Sequence, residues 1–286
     1  MFRPMLFKSF INQFVKLVIS RSIMMLRGRN RVLRYIEVHL AEHCNLNCAY
    51  CSHYCPVAEP EFPNIEQFER DFIKLSELTG GYITTVRLLG GEPLLNPDVT
   101  KFMPIVRRNI PKGTIELVTN GILLTKMNDD FWIACKNNKI TIKISQYPIK
   151  LDICKIFKIA QKHKVHISFP IRSNRNFVFR YQKIDITGKR DIRKAFANCT
   201  TKVCTALKDG NIYMCSQIPC TKHLEKRFGV NFSISENDFL VLDKINNLRE
   251  ILNFISRPSS FCRYCASEEK TFVSWKISEK KKEEWF

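Results

Sequence analysis

Residues 42–51 read Glu-His-Cys-Asn-Leu-Asn-Cys-Ala-Tyr-Cys, and this stretch decides the interpretation of the whole chain. Its three cysteines, Cys44, Cys48 and Cys51, have the spacing C-x3-C-x2-C and directly follow a predicted strand. Three thiolates this close together in one loop can hold one metal centre. Three ligands on a four-iron cluster leave one iron open, and catalysis requires an open position, as it does at catalytic zinc sites.

The residues around this loop alternate between predicted strands and predicted helices. Strands are predicted at residues 35–41, 82–89, 115–119, 140–145 and 165–169, and helices at 65–78, 97–108, 128–136 and 151–163. This order predicts an α/β fold with parallel strands joined by right-handed crossovers. We also expect one more strand at residues 177–183 and a helical tail at residues 279–286.

The chain resembles the radical S-adenosylmethionine (SAM) enzymes at several motifs that occur in the family's order. These are the cysteine motif with Tyr50 before its third cysteine, then Gly90-Gly91-Glu92-Pro93, Thr119-Asn120-Gly121 and Ser145, the last three each at a strand end. The resemblance covers about residues 35–170. It implies a partial (β/α)6 TIM-like barrel, a fold whose active site lies at the carboxyl ends of its strands.

The resemblance also implies two cofactors, a 4Fe-4S cluster on Cys44, Cys48 and Cys51, and SAM at its open iron. The implied SAM-binding residues are Tyr50, Gly90, Gly91, Glu92, Pro93, Asn120 and Ser145. In this family a one-electron reduction splits SAM into methionine and a 5′-deoxyadenosyl radical, which abstracts a hydrogen atom from the substrate. Because the cofactors carry this chemistry, we expect no further catalytic residue. His39, His43 and His53 are interpreted as loop or surface histidines.

Cys55 opens an alternative for the first cysteine group. The segment from Cys48 to Pro56 reads C-x2-C-x3-C-P, which is similar to part of a bacterial ferredoxin motif. A cluster held by four cysteines would carry electrons without binding SAM. The x3 spacing after Cys44 and the alternation of strands and helices argue against this alternative. We therefore predict that Cys55 is not a ligand.

A second cysteine group begins after residue 195, where the alternation of strands and helices ends. Cys199, Gly210 and Cys215 form C-x10-G-x4-C, which resembles the start of the auxiliary-cluster domains of radical SAM enzymes, the SPASM and shorter twitch types. The resemblance implies a single second 4Fe-4S cluster on four of five cysteines: Cys199, Cys204, Cys215, Cys262 and Cys265.

Two choices at this second group stay open. Cys199 has the spacing of the family, whereas Cys204 lies closer to Cys215 along the chain. A structural zinc ribbon on Cys204, Cys215, Cys262 and Cys265 is the alternative to an iron–sulfur cluster. Cys220 is interpreted as a spare cysteine.

The chain of 286 residues is strongly basic, with 46 Lys+Arg against 27 Asp+Glu and a formal net charge of +19. Residues 1–34 contribute eight basic residues and no acidic one, with apolar residues at helical spacing. This pattern predicts a basic amphipathic helix, which either binds an anionic membrane surface or packs on the protein body. We expect three parts: the extension at 1–34, the partial barrel at 35–195 and a twitch-like domain at 196–286.

Basic residues interrupt the apolar patches of the first 27 residues, so neither a secretory signal nor a membrane span is expected. The 12 cysteines are therefore expected to be reduced, in the cytoplasm. Attachment to the inner face of the membrane is an open alternative. An acidic electron donor, such as a flavodoxin or a ferredoxin, is the expected protein partner.

The expected function is hydrogen abstraction from a carbohydrate or cell-surface substrate, or from a peptide. Residues 51–59 resemble a bacterial subgroup that accompanies surface-polysaccharide functions. RNA modification is one alternative, but nucleic acid is disfavoured because the basic surplus outside residues 1–34 is spread along the chain. A non-catalytic metal-cluster protein that mediates interactions at membranes is the other alternative. The substrate itself, and whether SAM is consumed or regenerated, stay open.

Overall fold

A mixed sheet forms the centre of the computed structural model, which describes residues 32–169, 178–269 and 271–286. In chain order the strands are β1 (Leu33–Ala41), β2 (Ile83–Gly90), β3 (Thr114–Thr119), β4 (Ile140–Ile144), β5 (His166–Ser168), β6 (Val178–Tyr181), β7 (Ala206–Lys208), β8 (Asn211–Tyr213), β9 (Phe239–Val241) and β10 (Thr271–Ser274). The sheet has the order β5-β4-β3-β2-β1-β7-β8-β9.

Strands β1 to β5 pair in parallel, and β7 pairs in parallel with the other edge of β1. Strands β8 and β9 continue the sheet in antiparallel pairing. This arrangement confirms the predicted α/β class and the partial TIM-like barrel. It also makes the chain beyond residue 195 an extension of the same sheet, and residues Leu33–Phe286 form one compact unit.

Helices follow the strands as the sequence pattern predicts. They are α1 (Ile65–Thr79), α2 (Val99–Asn109), α3 (Asp129–Asn137), α4 (Ile153–His163), α5 (Ile192–Asn198), α6 (Thr221–Phe228) and α7 (Leu248–Ile255). Short 3-10 turns lie at Cys55–Val57, Pro93–Leu95, Leu124–Lys126, Ile218–Cys220, Glu236–Asp238, Leu242–Lys244, Ser260–Tyr264 and Lys282–Glu284. Asn64, the predicted cap of α1, accepts a hydrogen bond from the Gln67 N–H and so satisfies one open donor of the first turn.

The core lies between the sheet and these helices. Phe68 and Phe72 of α1 are buried, and the ring of Phe68 packs edge-to-face on Phe102 of α2, with centroids 4.8 Å apart. The buried aliphatic side chains of β1 to β4 complete this cluster. The predicted extension at residues 1–34 lies outside the described residues, apart from its last three. In the ranges that are described, no helix has both the length and the apolar character required to cross a bilayer.

Two predictions of secondary structure need correction. The strand expected at residues 177–183 forms as β6, but it pairs in antiparallel with β10 in a separate two-stranded sheet. The helix expected at residues 279–286 is wrong, since only the turn Lys282–Glu284 forms there. The Glu284 carboxylate accepts hydrogen bonds from the Ser278 hydroxyl and the Glu279 N–H, and these bonds fold the tail back on itself.

Arg107 of α2 binds the loops at the amino ends of β3 and β4. Its guanidinium donates hydrogen bonds to five carbonyl oxygens, those of Ile110, Pro111, Gly113, Asn138 and Lys139. We expect Arg107→Met to lower the free energy of unfolding by about 2 kcal/mol, since charged hydrogen bonds are lost and the carbonyls lose their donor.

Urea denaturation of the metal-free protein measures this loss. The matched control is Arg108→Met, because the solvent-exposed side chain of Arg108 forms an ion pair with that of Glu69, and the loss of such a surface pair should cost under about 1 kcal/mol. Equal losses in the two variants would contradict the bracing role of Arg107.

Candidate functional site

The cysteine loop, residues 42–51, begins where β1 ends and is fixed against the end of β2. The Gly91 N–H donates to the Ala41 carbonyl oxygen at 2.8 Å, and the Glu92 N–H donates to the His43 carbonyl oxygen at 3.0 Å. A Cβ atom on Gly91 would lie 2.0 Å from that His43 oxygen, so this approach requires glycine. The loop is thereby held at the carboxyl ends of the parallel strands.

The thiols of Cys44, Cys48 and Cys51 line one cavity of about 350 Å³. Burial raises the pKa of Cys44 to about 11 and that of Cys48 to about 12, and the charges of neighbouring cysteines add to both shifts. The three thiols line the same cavity, and thiolates are the ligands that iron–sulfur clusters use. The donor set therefore fits the predicted cluster, whose binding would release protons.

Cys55 lies directly beside this group. Its buried thiol donates a hydrogen bond to Cys51, which lowers the pKa of Cys51 to about 5 and raises the pKa of Cys55. The structure thus brings four cysteines together, with Cys55 positioned as a donor to a ligand. That Cys55 is not itself a ligand stays a prediction.

Most of the residues predicted to bind the cofactor line the same cavity. They are Tyr50, Gly90, Gly91, Asn120 and Ser145. Glu92 and Pro93 are buried behind the cavity wall. The structure therefore brings the motifs of three strand ends together around the three thiols, and the roles of the individual residues stay predictions.

Glu92 connects the end of β2 to the end of β3. Its carboxylate accepts hydrogen bonds from the Thr119 hydroxyl at 2.6 Å, the Asn120 N–H at 2.8 Å and the Leu94 N–H at 3.1 Å. Burial raises the pKa of this carboxyl to about 6. The side-chain amide of Asn120 donates to Asn45 Oδ1 at 2.7 Å, so the connection continues into the cysteine loop.

The end of the chain contacts the cysteine loop from another direction. The Trp275 indole N–H donates to Cys48 Sγ at 3.1 Å, and the Trp285 indole N–H donates to the Cys51 carbonyl oxygen at 3.1 Å. The sequence did not indicate a role for either tryptophan at this site, because no local motif connects them to cysteines more than 200 positions earlier in the chain.

The second cysteine group also comes together. Burial raises the pKa of Cys262 to about 11 and that of Cys265 to about 12. The charge of Cys199 adds to both shifts, and the charge of Cys262 adds to that of Cys265. Burial likewise raises the pKa of Cys215, with contributions from Cys265, Cys199 and Cys262. Four of the five candidate ligands, Cys199, Cys215, Cys262 and Cys265, therefore influence one another.

Cys204 has different electrostatic neighbours from these four. Burial raises its pKa to about 12, and the charge of Glu37 on β1 adds to the shift. Of the other candidate ligands, only Cys199 contributes to this shift. That Cys199 rather than Cys204 is the fourth ligand stays a prediction.

Asp238 fixes the turn that carries Cys262 and Cys265. It is fully buried and accepts hydrogen bonds from the hydroxyls of Ser259 and Ser260 and from the Phe261 N–H. The role of Asp238 could not be predicted from the sequence, because this residue lies more than 20 positions before the cysteine pair. The serines just before the pair were the only local signal.

The interpretation of the histidines needs correction. His39 is buried on β1 and lies 3.3 Å from Glu42, and His53 lies 3.6 Å from the buried carboxylate of Glu37. Burial alone would lower the pKa of His53, but its interaction with the nearby Glu37 carboxylate raises it to about 9. The prediction of a loop or surface residue is therefore wrong for His39, whereas His43 and His53 are half-buried loop residues and His53 lines the cavity.

Comparison with known proteins identifies relatives of this chain. The family model of the radical SAM superfamily matches residues 38–178. A GTP 3',8-cyclase of Campylobacter lari is 29% identical over 140 residues, which cover 49% of this chain and 42% of that protein. A GTP 3',8-cyclase of Clostridium botulinum strain Hall is 25% identical over 259 residues, which cover 85% of this chain and 78% of that protein.

The chain spans 29–42% of the length of the first four curated relatives it matches. Among solved structures, BtrN in complex with AdoMet and 2-DOIA superposes with a TM-score of 0.53 and 16% sequence identity, over 83% of this chain and 94% of that chain. This similarity concerns the fold alone, and it agrees with the predicted barrel.

The buried carboxyl of Glu92 gives a test by pH. Its pKa of about 6 in the folded protein exceeds the ordinary value of 4.5, so the folded state binds the extra proton and stability falls as pH rises from 4.5 to 6. Glu92→Gln lacks this titration. We therefore expect the free energy of unfolding of the metal-free variant, relative to wild type, to rise by about 1 kcal/mol between pH 4.5 and pH 6.

Urea denaturation at several pH values measures the difference. Glu66→Gln, at an exposed position of the first turn of α1, is the control and should follow the wild-type profile. Parallel profiles for wild type and Glu92→Gln would contradict the burial of an ionisable Glu92.

Proposed function

We propose that the substrate of this chain is a carbohydrate, a cell-surface molecule or a peptide. The premise is that the chain belongs to the radical SAM superfamily and is an enzyme with a 4Fe-4S cluster and SAM as cofactors. The observation that carries the proposal is the convergence of Cys44, Cys48 and Cys51 on one cavity at the strand ends. This is the position at which barrel folds build active sites.

When bound, the reduced cluster and SAM together supply a carbon-centred radical that abstracts a hydrogen atom. The residues of the chain supply ligands, orientation and exclusion of water. Gly91 fixes the cysteine loop against β2, and Glu92 holds the end of β3 through Asn120. The cavity of about 350 Å³ lies in the size range of ligand pockets.

The described residues that line the cavity are suited to a neutral, hydroxyl-rich substrate. Its side chains beyond the cysteine loop include amides, hydroxyls and aromatic rings: Gln146, Tyr147, Tyr181, Gln182, Thr200, Thr201 and Gln217. Amides and hydroxyls can bond to sugar hydroxyls, while aromatic faces pack against the C–H groups of a sugar ring. The buried Tyr181 hydroxyl has no hydrogen-bond partner among the described residues, although the residue lines the cavity.

A second candidate substrate is a nucleoside triphosphate, because the curated relatives are GTP 3',8-cyclases. Arg180 and His53 are the cationic side chains among the described residues that line the cavity. A triphosphate carries several negative charges and would require more cationic partners than these two. The carbohydrate, cell-surface or peptide proposal is therefore the better supported.

The two substrate classes are separated by the rate of 5′-deoxyadenosine formation by the reduced enzyme. Stimulation above the substrate-free rate by glycans or peptides supports the first class. Stimulation by GTP alone would transfer support to the nucleotide.

The remaining assignments are proposals of the same kind. The second cysteine group would hold an auxiliary 4Fe-4S cluster in a twitch-like domain at residues 196–286, beyond a partial barrel at 35–195. The net charge of +19 would favour an acidic flavodoxin or ferredoxin as electron donor.

Residues 1–34 would bind an anionic membrane surface. The test compares binding to anionic vesicles by the full chain and by a chain without residues 1–30. Weaker binding of the shortened chain is expected, and equal binding would contradict the proposal.

The cluster assignment predicts which cysteines are essential for SAM cleavage. Cys44→Ala, Cys48→Ala and Cys51→Ala should each abolish 5′-deoxyadenosine formation by anaerobically purified, reduced protein, because each removes a ligand of the cluster. Cys55→Ala is the matched control and should retain cleavage.

Iron and zinc are counted in every sample. Wild-type protein that contains zinc without iron, or iron without any SAM cleavage, would contradict the proposed function. Loss of both iron and cleavage in Cys55→Ala would contradict only the assignment of Cys55 as a non-ligand.

The second site predicts a difference between two neighbouring cysteines. Cys199→Ala should lose the iron of the auxiliary cluster, about four atoms per chain. Cys204→Ala should retain it, because Cys199 and not Cys204 contributes to the pKa shifts of Cys215, Cys262 and Cys265. Iron analysis and the electron paramagnetic resonance signal of the reduced protein measure the outcome. The opposite pattern would assign the ligand to Cys204, and zinc at this site would favour the ribbon.

A further inference from the structure

The last residues of the described chain, 275–286, which we call the C-terminal strap, lie along the cysteine loop. The Ala49 N–H donates to the Lys276 carbonyl oxygen at 2.9 Å, and the Ser278 N–H donates to the Asn47 carbonyl oxygen at 2.8 Å. These backbone bonds pair the strap with the loop as one strand pairs with another. The position of the strap relative to the loop is therefore fixed by the backbone on both sides of Cys48.

The strap sends two indole N–H groups to the loop, and their acceptors differ. Trp275 donates to the sulfur atom of Cys48, whereas Trp285 donates to the carbonyl oxygen of Cys51, and both distances are 3.1 Å. The Trp285 ring is buried in the core beneath the loop. The Trp275 ring is only partly buried and lies on the cavity wall, 6.5 Å from the ring of Tyr147. Trp285 is thus an anchor, while Trp275 contacts a sulfur atom of the predicted cluster site.

We infer that Trp275 is a positioning residue whose N–H···S hydrogen bond raises the reduction potential of the cluster bound by Cys44, Cys48 and Cys51. The inference rests on the proposed function, since it requires a cluster at these three cysteines. It assigns to the C-terminal strap a role in the energetics of the first electron transfer, beyond covering the loop.

The physical reason is electrostatic. Reduction adds negative charge to the cluster, and part of that charge lies on the ligand sulfur atoms. An N–H dipole directed at one of these sulfurs stabilises the reduced state more than the oxidised state, so the potential rises. Hydrogen bonds to the sulfurs and exposure to solvent are among the factors by which proteins set cluster potentials. Such a bond would make the cluster easier to reduce by a protein donor.

The test compares Trp275→Phe with Trp285→Phe. Each variant removes one indole N–H donor that lies 3.1 Å from its acceptor, and each keeps an aromatic ring. The comparison therefore separates the loss of a donor to a sulfur atom from the loss of a donor to a carbonyl oxygen. Redox titration followed by electron paramagnetic resonance gives the midpoint potential of the SAM-binding cluster. Both variants carry the Cys199→Ala substitution, which removes the proposed auxiliary cluster and its overlapping signal. We expect a shift to more negative potential in Trp275→Phe and no shift in Trp285→Phe, each relative to Cys199→Ala alone.

An unchanged potential in Trp275→Phe, or equal shifts in the two variants, would overturn the inference. Equal shifts would mean that any disturbance of the strap alters the cluster. If the parent protein binds no iron at Cys44, Cys48 and Cys51, the proposed function itself fails. A loaded cluster that cleaves SAM but has the same potential in Trp275→Phe refutes the role of Trp275 and leaves the proposed function intact.

A second measurement covers the case in which Trp275→Phe does not fold. Protein in the Trp285→Phe background is labelled with indole-15N tryptophan, loaded with unlabelled SAM and reduced. Of its two remaining tryptophans, Trp132 is fully buried in the hydrophobic core formed by the sheet and helices. A 15N coupling to the cluster in pulsed electron paramagnetic resonance is the expected result, and its absence would overturn the inference.

Discussion

The close approach of the cysteine loop to the end of β2 is the constraint on which the rest of the site depends. Gly91 and Glu92 donate their backbone N–H groups to Ala41 and His43, and a side chain on Gly91 would collide with the His43 carbonyl. These bonds direct the loop over the strand ends, where its thiols meet the residues that follow β3 and β4. Because the contact is backbone to backbone, it positions the main chain of the loop independently of side-chain rotamers.

Buried polar groups support the loop from behind. Glu42, at its first position, is bound by His39, His223 and Lys208, at 3.3, 2.9 and 2.7 Å. Burial alone would raise the pKa of Glu42, but these partners hold it well below its usual range. The carboxylate is therefore ionised and fully bonded, and removal of one partner would leave a buried charge without compensation, which is costly. This network specifies one position for the start of the loop.

The parts of the site that could be predicted are those whose residues lie close together in the sequence. Cys44, Cys48, Cys51 and the motif around Glu92 were predictable because each motif is local and stands at the end of a periodic strand. The contacts of Trp275 with Cys48 and of His223 with Glu42 span 227 and 181 positions, and no local pattern encodes them. The tail was wrongly predicted as a helix for the same reason, since its conformation depends on burying Trp285 beneath a distant loop.

The two cysteine groups are connected through Tyr54, three positions after Cys51. Its N–H donates to the Cys51 carbonyl oxygen, and its buried hydroxyl donates to Gln217 beside the second group. Burial, followed by the charges of Cys215 and other cysteines, raises the pKa of Tyr54. One residue therefore contacts the first group through its backbone and the surroundings of the second group through its side chain. A zinc ribbon that only stabilised its own segment would gain nothing from this connection. Two redox centres, if both sites hold iron–sulfur clusters as proposed, would gain a fixed separation from this connection.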